Sequence, residues 1–192
     1  MSQPEEAVVY PLFLKLRGRD VVVIGAGTVA AGKIARLVAA GARVRVVAPA
    51  AADDILAMAQ AGTVEWHARP FEERDVDGAW LVIAATSDID VQRRAAAAAE
   101  AHRVFIIAVD DPQNASAYSG AVLERPPFVV AISSSGATPA LTRLLREILE
   151  QVLPSDDWVE HAKGIRARWL AEGTPMSDRF ADLVKAFKQR AG

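Results

Sequence analysis

The chain has 192 residues, 52% of them hydrophobic, which is enough for one α/β domain with its own core and a small appendage. A net charge of −2 argues against a general nucleic-acid-binding protein, and the absence of cysteine excludes disulfides, thiolate metal sites and a cysteine nucleophile. The N-terminus has no basic segment and no apolar run reaches about 18 residues. The sequence therefore predicts a cytoplasmic protein without a membrane span.

A glycine-rich turn between two predicted strands is the most informative motif of the sequence. The apolar run 21–24 leads into Gly25-Ala-Gly27-Thr-Val-Ala30, and a second apolar run follows at 43–48. In such a turn the first glycine lets the chain leave the strand, the second leaves room for a pyrophosphate, and the small third residue keeps the helix near the sheet. The pattern predicts a dinucleotide site, with an ordinary strand–helix turn as the alternative.

The first 112 residues alternate between strand and helix patterns. The predicted strands lie at 10–16, 21–24, 43–48, 64–68, 79–85 and 104–109, and the predicted helices lie at 28–40, 51–61 and 90–102. Continuous apolar runs such as 79–85 are typical of strands that are buried on both faces of a parallel sheet. The alternation predicts an α/β fold, a Rossmann-type doubly wound parallel sheet.

The pattern changes after Pro112. Residues 113–127 are polar and rich in turn formers, and a strand is predicted at 128–132. A helix follows with Thr138 as its N-cap, Pro139 at its first position and Pro154 as its stop. Its apolar side chains form one stripe at helical spacing: Leu141, Leu144, Leu145, Ile148, Leu149 and Val152. Two further helices are predicted at about 157–171 and from Thr174-Pro175 to about Gln189.

These patterns divide the chain into three predicted segments. Residues 1–112 form a nucleotide-binding Rossmann domain, 113–140 a small linking or dimerisation segment, and 141–192 a helical segment. The middle segment is too short for a core of its own. Its strand and the striped helix are therefore expected to bury their apolar faces against a second copy of the chain.

Candidate cofactor-binding residues are those that follow the predicted strands, because ligands of open parallel sheets bind outside the carboxyl ends of the strands. They form four loops: Gly25, Gly27, Thr28, Val29 and Ala30; Pro49 and Ala50; Thr86, Ser87 and Asp88; and Asp110 and Asp111. The acidic residue usual about 20 positions after the glycine turn is missing. No Lys or Arg lies in 46–52 either, so NAD is favoured over NADP.

Asp110 is the candidate acid/base. It follows a buried strand directly, and partial desolvation there would raise the pKa of a carboxyl group into a range useful for proton transfer. The alternative is that Asp110-Asp111-Pro112 only ends the strand, since Asp before Pro favours turns. Side chains alternate along extended backbone, so one of the two aspartates is expected to face the ligand.

Arg143 and Arg146 lie beside the apolar stripe, and each has a glutamate four residues on. They indicate either a solvated helix face with ion pairs or a cationic rim for an acidic ligand. Ser133 and Ser134 precede the helix and would either hold an anion or form a flexible loop. No base stands beside these serines in the sequence, which argues against a serine nucleophile.

No metal site is predicted. The three histidines, His67, His102 and His161, are too scattered in the sequence for a recognisable set of metal ligands, and each is interpreted as a surface or packing residue.

Six stretches of the sequence together resemble the precorrin-2 dehydrogenase/sirohydrochlorin ferrochelatase family, the N-terminal half of siroheme synthase. They are 10–13, 23–30, 41–49, 83–86, 109–112 and 131–146. These stretches cover nearly all of 9–153 in the family's order. The last one, Ala-Ile-Ser-Ser-Ser-Gly-Ala-Thr-Pro-Ala-Leu-Thr-Arg-Leu-Leu-Arg, is the most specific, because a generic dinucleotide fold does not require it.

The resemblance implies an NAD-dependent homodimeric enzyme that removes a hydride and a proton from precorrin-2, a tetrapyrrole, to give sirohydrochlorin. In some members ferrous iron is then a co-substrate that is inserted to give siroheme. The family's catalytic aspartate falls on Asp110, and a serine that contacts the substrate region falls on Ser134. Because the substrate carries many carboxylates, the resemblance also favours Arg143 and Arg146 as a cationic rim that contacts it. Ser133, in the same serine loop as Ser134, is a further candidate substrate contact.

Two other functions stay open at this point. The chain could be an NAD-binding sensor module that performs no chemistry and has no need of Asp110. It could also be an iron chelatase that uses the fold without NAD. Oxidation of precorrin-2 that requires both NAD and Asp110 distinguishes the dehydrogenase from both alternatives.

Overall fold

The computed structural model describes residues 9–135, 137–153 and 156–190, and the chain divides into two compact units. The first unit runs to Ser119 and includes Ser135 and Ala137; the second contains Gly120–Ser134 and the chain from Thr138 onward. The predicted linking segment 113–140 is thus distributed over both units. The predicted helix stop at Pro154 lies outside the described residues.

The first unit is built on a five-stranded sheet in which all strands are parallel. Its strands are β1 (Asp20–Ile24), β2 (Arg43–Val47), β3 (Glu65–His67), β4 (Leu81–Ala84) and β5 (Phe105–Ala108). Their spatial order is β3-β2-β1-β4-β5. The predicted Rossmann-type doubly wound sheet is therefore confirmed, with the change in winding direction between β1 and β4.

Three helices connect these strands: α1 (Thr28–Ala39), α2 (Asp53–Gln60) and α3 (Ile89–Ala101). Each lies within two residues of its predicted bounds. Helix α1 ends because Gly41 adopts φ +78°, the left-handed conformation that glycine tolerates, and donates its N–H to the carbonyl of Val38 at 2.8 Å. Asp88 is the N-cap residue of α3, and its carboxylate accepts hydrogen bonds from the N–H groups of Asp90 and Val91.

Apolar side chains cover both faces of the sheet. Along β1, Val21 and Val23 pack with Ile34 of α1 on one face, whereas Val22 and Ile24 pack on the other. The second face is covered by small side chains of α3: Ala95, Ala98 and Ala99. Burial on both faces explains why β1 and β4 read as continuous apolar runs.

The second unit contains a β-hairpin and three helices. Strands β6 (Ala121–Arg125) and β7 (Phe128–Ile132) pair antiparallel, with a cis peptide bond between Pro126 and Pro127 in their connection. Helices α4 (Pro139–Val152), α5 (Asp156–Glu172) and α6 (Met176–Arg190) follow. Asp182 of α6 joins α5 by accepting hydrogen bonds from Trp169 Nε1 at 2.7 Å and from Arg168 at 2.6 Å.

Two local predictions are wrong. Residues 10–16 form no strand, and Tyr10 and Phe13 are largely exposed. Strand β6 was missed because its sequence lies among turn formers and becomes a strand only by pairing with β7. Thr138 is the N-cap residue of α4 and Pro139 starts the helix, as predicted, but the Thr138 side chain makes no capping hydrogen bond, and the Thr138 N–H donates to the Ser134 hydroxyl at 3.1 Å. Among the described residues, every helix is too short or too polar to traverse a lipid bilayer.

Candidate functional site

Backbone hydrogen bonds beyond the strand ends tie the loops at the carboxyl edge of the sheet together. The N–H of Gly25 donates to Val47 at 2.9 Å, and that of Ala85 donates to Ile24 at 2.7 Å. Val109 then donates to the carbonyl of Ala84 at 2.9 Å. The turns after β1, β4 and β5 are therefore held in fixed register next to the point where the winding direction changes, the place where open parallel sheets bind ligands.

The glycine turn after β1 requires its first glycine. Gly25 has φ +98°, and a Cβ at this position would collide with the carbonyl group of Ala85. Gly27 differs, because a Cβ built there meets nothing within 4 Å. The packing of the protein thus explains Gly25, whereas Gly27 leaves open space in front of the first turn of α1.

Helix α1 begins directly at this open space. Its N-cap is Gly27, no side chain caps it, and no acidic residue lies in its first turn. The first free N–H groups and the positive end of the helix dipole therefore face solvent, which is the arrangement that binds a phosphate. Thr28 and Val29 are exposed there, whereas Ala30 is fully buried against the sheet.

A cleft of about 580 Å³ lies between the turns after β4 and β5 and the start of α1, all within the first unit. We call it the switch-point cleft; the lining residues used below are Val29, Thr86, Gln92, Asp110, Asp111 and Asn114. The predicted loops after β1, β4 and β5 thus meet. The fourth predicted loop does not line the cleft: Pro49 and Ala50 are exposed beside the glycine turn, where Ala52 N–H donates to the carbonyl of Ala26 at 2.9 Å.

Asp110 lies in the switch-point cleft in a left-handed backbone conformation, φ +58°. Non-glycine residues adopt this conformation at a cost, and such residues cluster at functional sites. Its carboxylate is exposed and makes no hydrogen bond to any described residue, so the predicted desolvation of Asp110 by the protein is wrong. Asp111 also lines the cleft, but its carboxylate accepts a hydrogen bond from the Asn114 side chain at 2.6 Å.

Sequence reasoning missed Gln92, a buried glutamine of α3 that joins two of the loops. Its Nε2 donates to the carbonyl of Thr86 at 2.6 Å and to the carbonyl of Val109 at 3.3 Å. The second carbonyl belongs to the peptide bond that leads into Asp110. A lone amide facing inward in an alanine-rich helix was the available signal, because a buried polar side chain needs partners.

Lys33 of α1 is another residue that sequence reasoning did not select, and it carries a positive charge. It lies one helical turn beyond Val29, and its Nζ donates to the Ser119 hydroxyl at 3.0 Å. Burial lowers the pKa of the Lys33 ammonium group, Arg36 adds to this, and the negative charge of Asp110 opposes it. The charges of Lys33 and Asp110 are therefore close enough to influence each other.

The model of a family described as "Putative NAD(P)-binding" matches residues 12–121. The chain belongs to this family. The match contains the whole parallel sheet, the glycine turn and the switch-point cleft, so the NAD(P)-binding domain and the residues assembled above coincide.

Curated relatives of this NAD(P)-binding chain are siroheme synthases. The chain is 42% identical over 179 residues to the siroheme synthase of Shigella boydii serotype 18, and 45% identical over the same length to that of Escherichia coli O17:K52:H18. Each alignment covers 92% of this chain and 39% of the relative, so the chain spans about two fifths of the length of these relatives.

One solved structure has the same fold over nearly the whole chain. It is titled "SirC, precorrin-2 dehydrogenase", and it matches with a TM-score of 0.74 at 22% sequence identity. The match covers 92% of this chain and 88% of that one. The NAD(P)-binding unit and the hairpin-plus-helices unit thus occur together in another protein.

The geometry of the glycine turn fits a dinucleotide. A pyrophosphate needs free N–H donors and a surface without side chains, and the open space in front of Gly27 at the uncapped start of α1 supplies both. No acidic side chain in the first turn of α1 repels a phosphate.

The predicted substrate residues belong to the second unit, where partners are found for Ser134, Arg143 and Arg146. The Ser134 hydroxyl lies 3.0 Å from the Thr142 hydroxyl as well as accepting from the Thr138 N–H, so it ties the start of α4 to the preceding loop. Ser133 is exposed on the same loop.

The two predicted arginines of α4 form helical ion pairs. Arg143 Nε lies 2.9 Å from Glu147, and Arg146 lies 3.1 Å from Glu150. Ion pairs between residues four apart are what a solvated helix face predicts, the first of the two interpretations that the sequence left open for these arginines.

The three histidines make local contacts of different kinds. His67 pairs with Glu65, His102 contacts Asp77 and the carbonyl of Ala98, and His161 packs edge-on to Phe187. Within residues 9–135, 137–153 and 156–190, no group of three His, Asp or Glu side chains is arranged to hold a metal ion.

Proposed function

We propose that the chain is an NAD-dependent dehydrogenase that converts precorrin-2 to sirohydrochlorin in siroheme biosynthesis. The observation that carries the proposal is the presence of Asp110 in the same cleft as the open start of α1. Removal of a proton and a hydride requires a carboxylate and a dinucleotide-binding turn in the same cleft. The similarity to siroheme synthases and to SirC supports this reaction over others that the fold can host.

The proposed cofactor is NAD rather than NADP. The second phosphate of NADP is bound near the end of the second strand in this fold, usually by a basic side chain. Here the segment after β2 reads Ala48-Pro49-Ala50 and contains no Lys or Arg. When bound, the nicotinamide ring supplies the hydride acceptor.

The chain's own residues have distinct proposed roles in this reaction. Gly25, Gly27, Thr28, Val29 and Ala30 form the pyrophosphate turn, with Pro49, Ala50 and Thr86 at the edges of the cofactor site. Asp110 accepts the proton that leaves the tetrapyrrole as the hydride departs. Its exposure makes it reachable by a large substrate, and the bound substrate would supply the desolvation that the protein alone does not.

Further parts of the proposal rest on the resemblance and on the second unit. The chain acts as a cytoplasmic homodimer that pairs through β7 and the apolar stripe of α4. Ser133, Ser134, Arg143 and Arg146 contact the carboxylate-bearing substrate. Ferrous iron is a second substrate if the chain also carries the chelatase activity.

The test uses purified protein, precorrin-2 and NAD, with absorbance reporting sirohydrochlorin and reduced cofactor. We expect turnover by the wild-type protein and a loss of about 100-fold to 10,000-fold in kcat for Asp110→Asn, with NAD affinity unchanged. Asp54→Asn, an exposed aspartate of α2 outside the cleft, is the matched control and should keep wild-type turnover.

Three results would count against the proposal. A wild-type protein that binds NAD without ever reducing it beside precorrin-2 is a sensor module. One that inserts iron into sirohydrochlorin without NAD is a chelatase only. Equal turnover by Asp110→Asn and the wild type removes the acid/base role of Asp110.

A further inference from the structure

Gln92 is 6% exposed, the one buried polar side chain of α3, and it lines the switch-point cleft. Its amide nitrogen makes the two hydrogen bonds to the carbonyls of Thr86 and Val109. Both partners are carbonyl oxygens, which only accept hydrogen bonds. The NH₂ side of the amide must therefore face them, and the orientation of the whole amide group is determined.

The other end of this amide, Oε1, has no partner within the described residues. No fully buried side-chain nitrogen or oxygen of a described residue lacks a hydrogen bond, so Oε1 keeps some exposure although Gln92 as a whole is buried. An acceptor held in one orientation at the wall of a cleft is preorganised for a ligand that brings an N–H donor.

The half of a dinucleotide that reaches Gln92 follows from the topology. The pyrophosphate binds at the start of α1, and the adenosine ribose lies over the end of β2. The nicotinamide half therefore extends to the opposite side of the switch point, over the ends of β4 and β5, where Thr86 and Val109 hold Gln92. The nicotinamide carboxamide carries two N–H donors.

We infer that Gln92 is a cofactor-recognition residue whose Oε1 accepts a hydrogen bond from the nicotinamide carboxamide. The inference rests on the nicotinamide cofactor of the proposed function, and not on precorrin-2 as the substrate. Gln92 contacts both loops of the cleft at once. The same side chain therefore holds the two loops together and recognises the nicotinamide ring that lies between them.

The experiment measures dissociation constants for NAD and for 3-acetylpyridine adenine dinucleotide, in which a methyl group replaces the carboxamide nitrogen. Calorimetry gives both values without turnover. We expect the wild type to prefer NAD by about fivefold, the central value for one neutral hydrogen bond. In Gln92→Met the preference falls below about twofold, because methionine keeps the volume of glutamine and offers only a weak acceptor.

A protein–ligand double-mutant cycle separates recognition from general damage. Gln60→Met changes the same side chain at the exposed end of α2, outside the cleft, and should keep the wild-type preference. Gln92→Asn retains the amide on a chain shorter by one methylene and should also lose the preference, which provides a second folded variant. The ratio of the two affinities in each variant cancels effects that weaken both ligands equally.

The outcomes distinguish this inference from the proposed function. A wild type that binds both dinucleotides equally, or a folded Gln92→Met that keeps the full preference for NAD, overturns the inference alone. A wild type that binds neither dinucleotide overturns the cofactor of the proposed function as well. If the wild type prefers NAD, Gln92→Met loses this preference and the wild type does not oxidise precorrin-2, the Gln92 contact stands and only the proposed substrate is contradicted.

Discussion

The two units of the chain bury their apolar side chains in different ways. In the first unit both faces of the sheet are covered by helices of the same unit, and β1 and β4 are almost fully buried. In the second unit α4 carries an apolar stripe that stays open to solvent. Five of its six side chains are 41% to 66% exposed: Leu141, Leu144, Leu145, Ile148 and Val152.

The difference indicates which unit needs a partner. A two-stranded hairpin is marginally stable by itself, and a contiguous exposed apolar patch usually marks an interaction surface. Phe128 and Val129 of β7 are also more than 40% exposed. The first unit supplies its own core, whereas the second has apolar surface that the proposed dimer would cover.

The largest expected effect on stability comes from Gly25. Gly25→Ala places a Cβ against the carbonyl of Ala85 in a left-handed conformation, so we expect a loss of at least about 3 kcal/mol in the free energy of unfolding, and loss of NAD binding. Gly32→Ala, in the same helix–turn region with open space around its Cβ, should gain up to about 1 kcal/mol. Urea denaturation checks both values, and equal stability of the two variants would contradict the role of Gly25.

The next effect concerns Asp75, which is 2% exposed and accepts hydrogen bonds from Arg69 and from the Glu72 N–H. Burial acts to raise the pKa of Asp75, but the Arg69 guanidinium and the Glu72 N–H outweigh it and hold the pKa below its ordinary value. Asp75→Asn removes the charge and should cost about 2 to 3 kcal/mol at neutral pH.

The pH dependence of this difference has a defined sign. Because the pKa of Asp75 is lower in the folded than in the unfolded protein, its stabilisation is complete above about pH 4 and is lost as the pH falls through the folded-state pKa. The stability gap between the wild type and Asp75→Asn should therefore close in acid. A gap that persists undiminished at about pH 2 would show that the ion pair is not its cause.

The smallest effect on the stability of the folded chain is expected at the α4 stripe. Ile148 is 46% exposed, so Ile148→Glu should change the unfolding free energy of the monomer by no more than about 0.5 kcal/mol. It should weaken self-association by at least about 100-fold, since a charge would be buried in the dimer. Sedimentation equilibrium measures the mass, with Gln151→Glu on the exposed side of the same helix as control. A monomeric wild type would remove the dimer from the proposal.

Agreement between sequence and structure follows the range of the interactions. The β1–α1–β2 region lies within two residues of its predicted bounds, because apolar runs and glycines act locally and Gly25 and Gly41 have the backbone conformations that such turns need. Strand β6 was missed because its pairing with β7 is a tertiary contact that no local pattern contains. Thr138 is the N-cap residue of α4 as predicted, but its side chain makes no capping hydrogen bond and its N–H donates to the Ser134 hydroxyl, a contact that no local rule contains.

The sequence by itself determined the parallel sheet, the dinucleotide turn and the position of Asp110 at the end of β5, because each depends on the order of strands and turns along the chain. Only the tertiary structure decided that Asp110 is exposed in a left-handed conformation and that Gln92 spans the loops of Thr86 and Val109. Those features depend on distances between residues far apart in sequence. A buried amide finds its partners only when α3 packs against the sheet, and that packing also places Gln92 at the wall of the cleft.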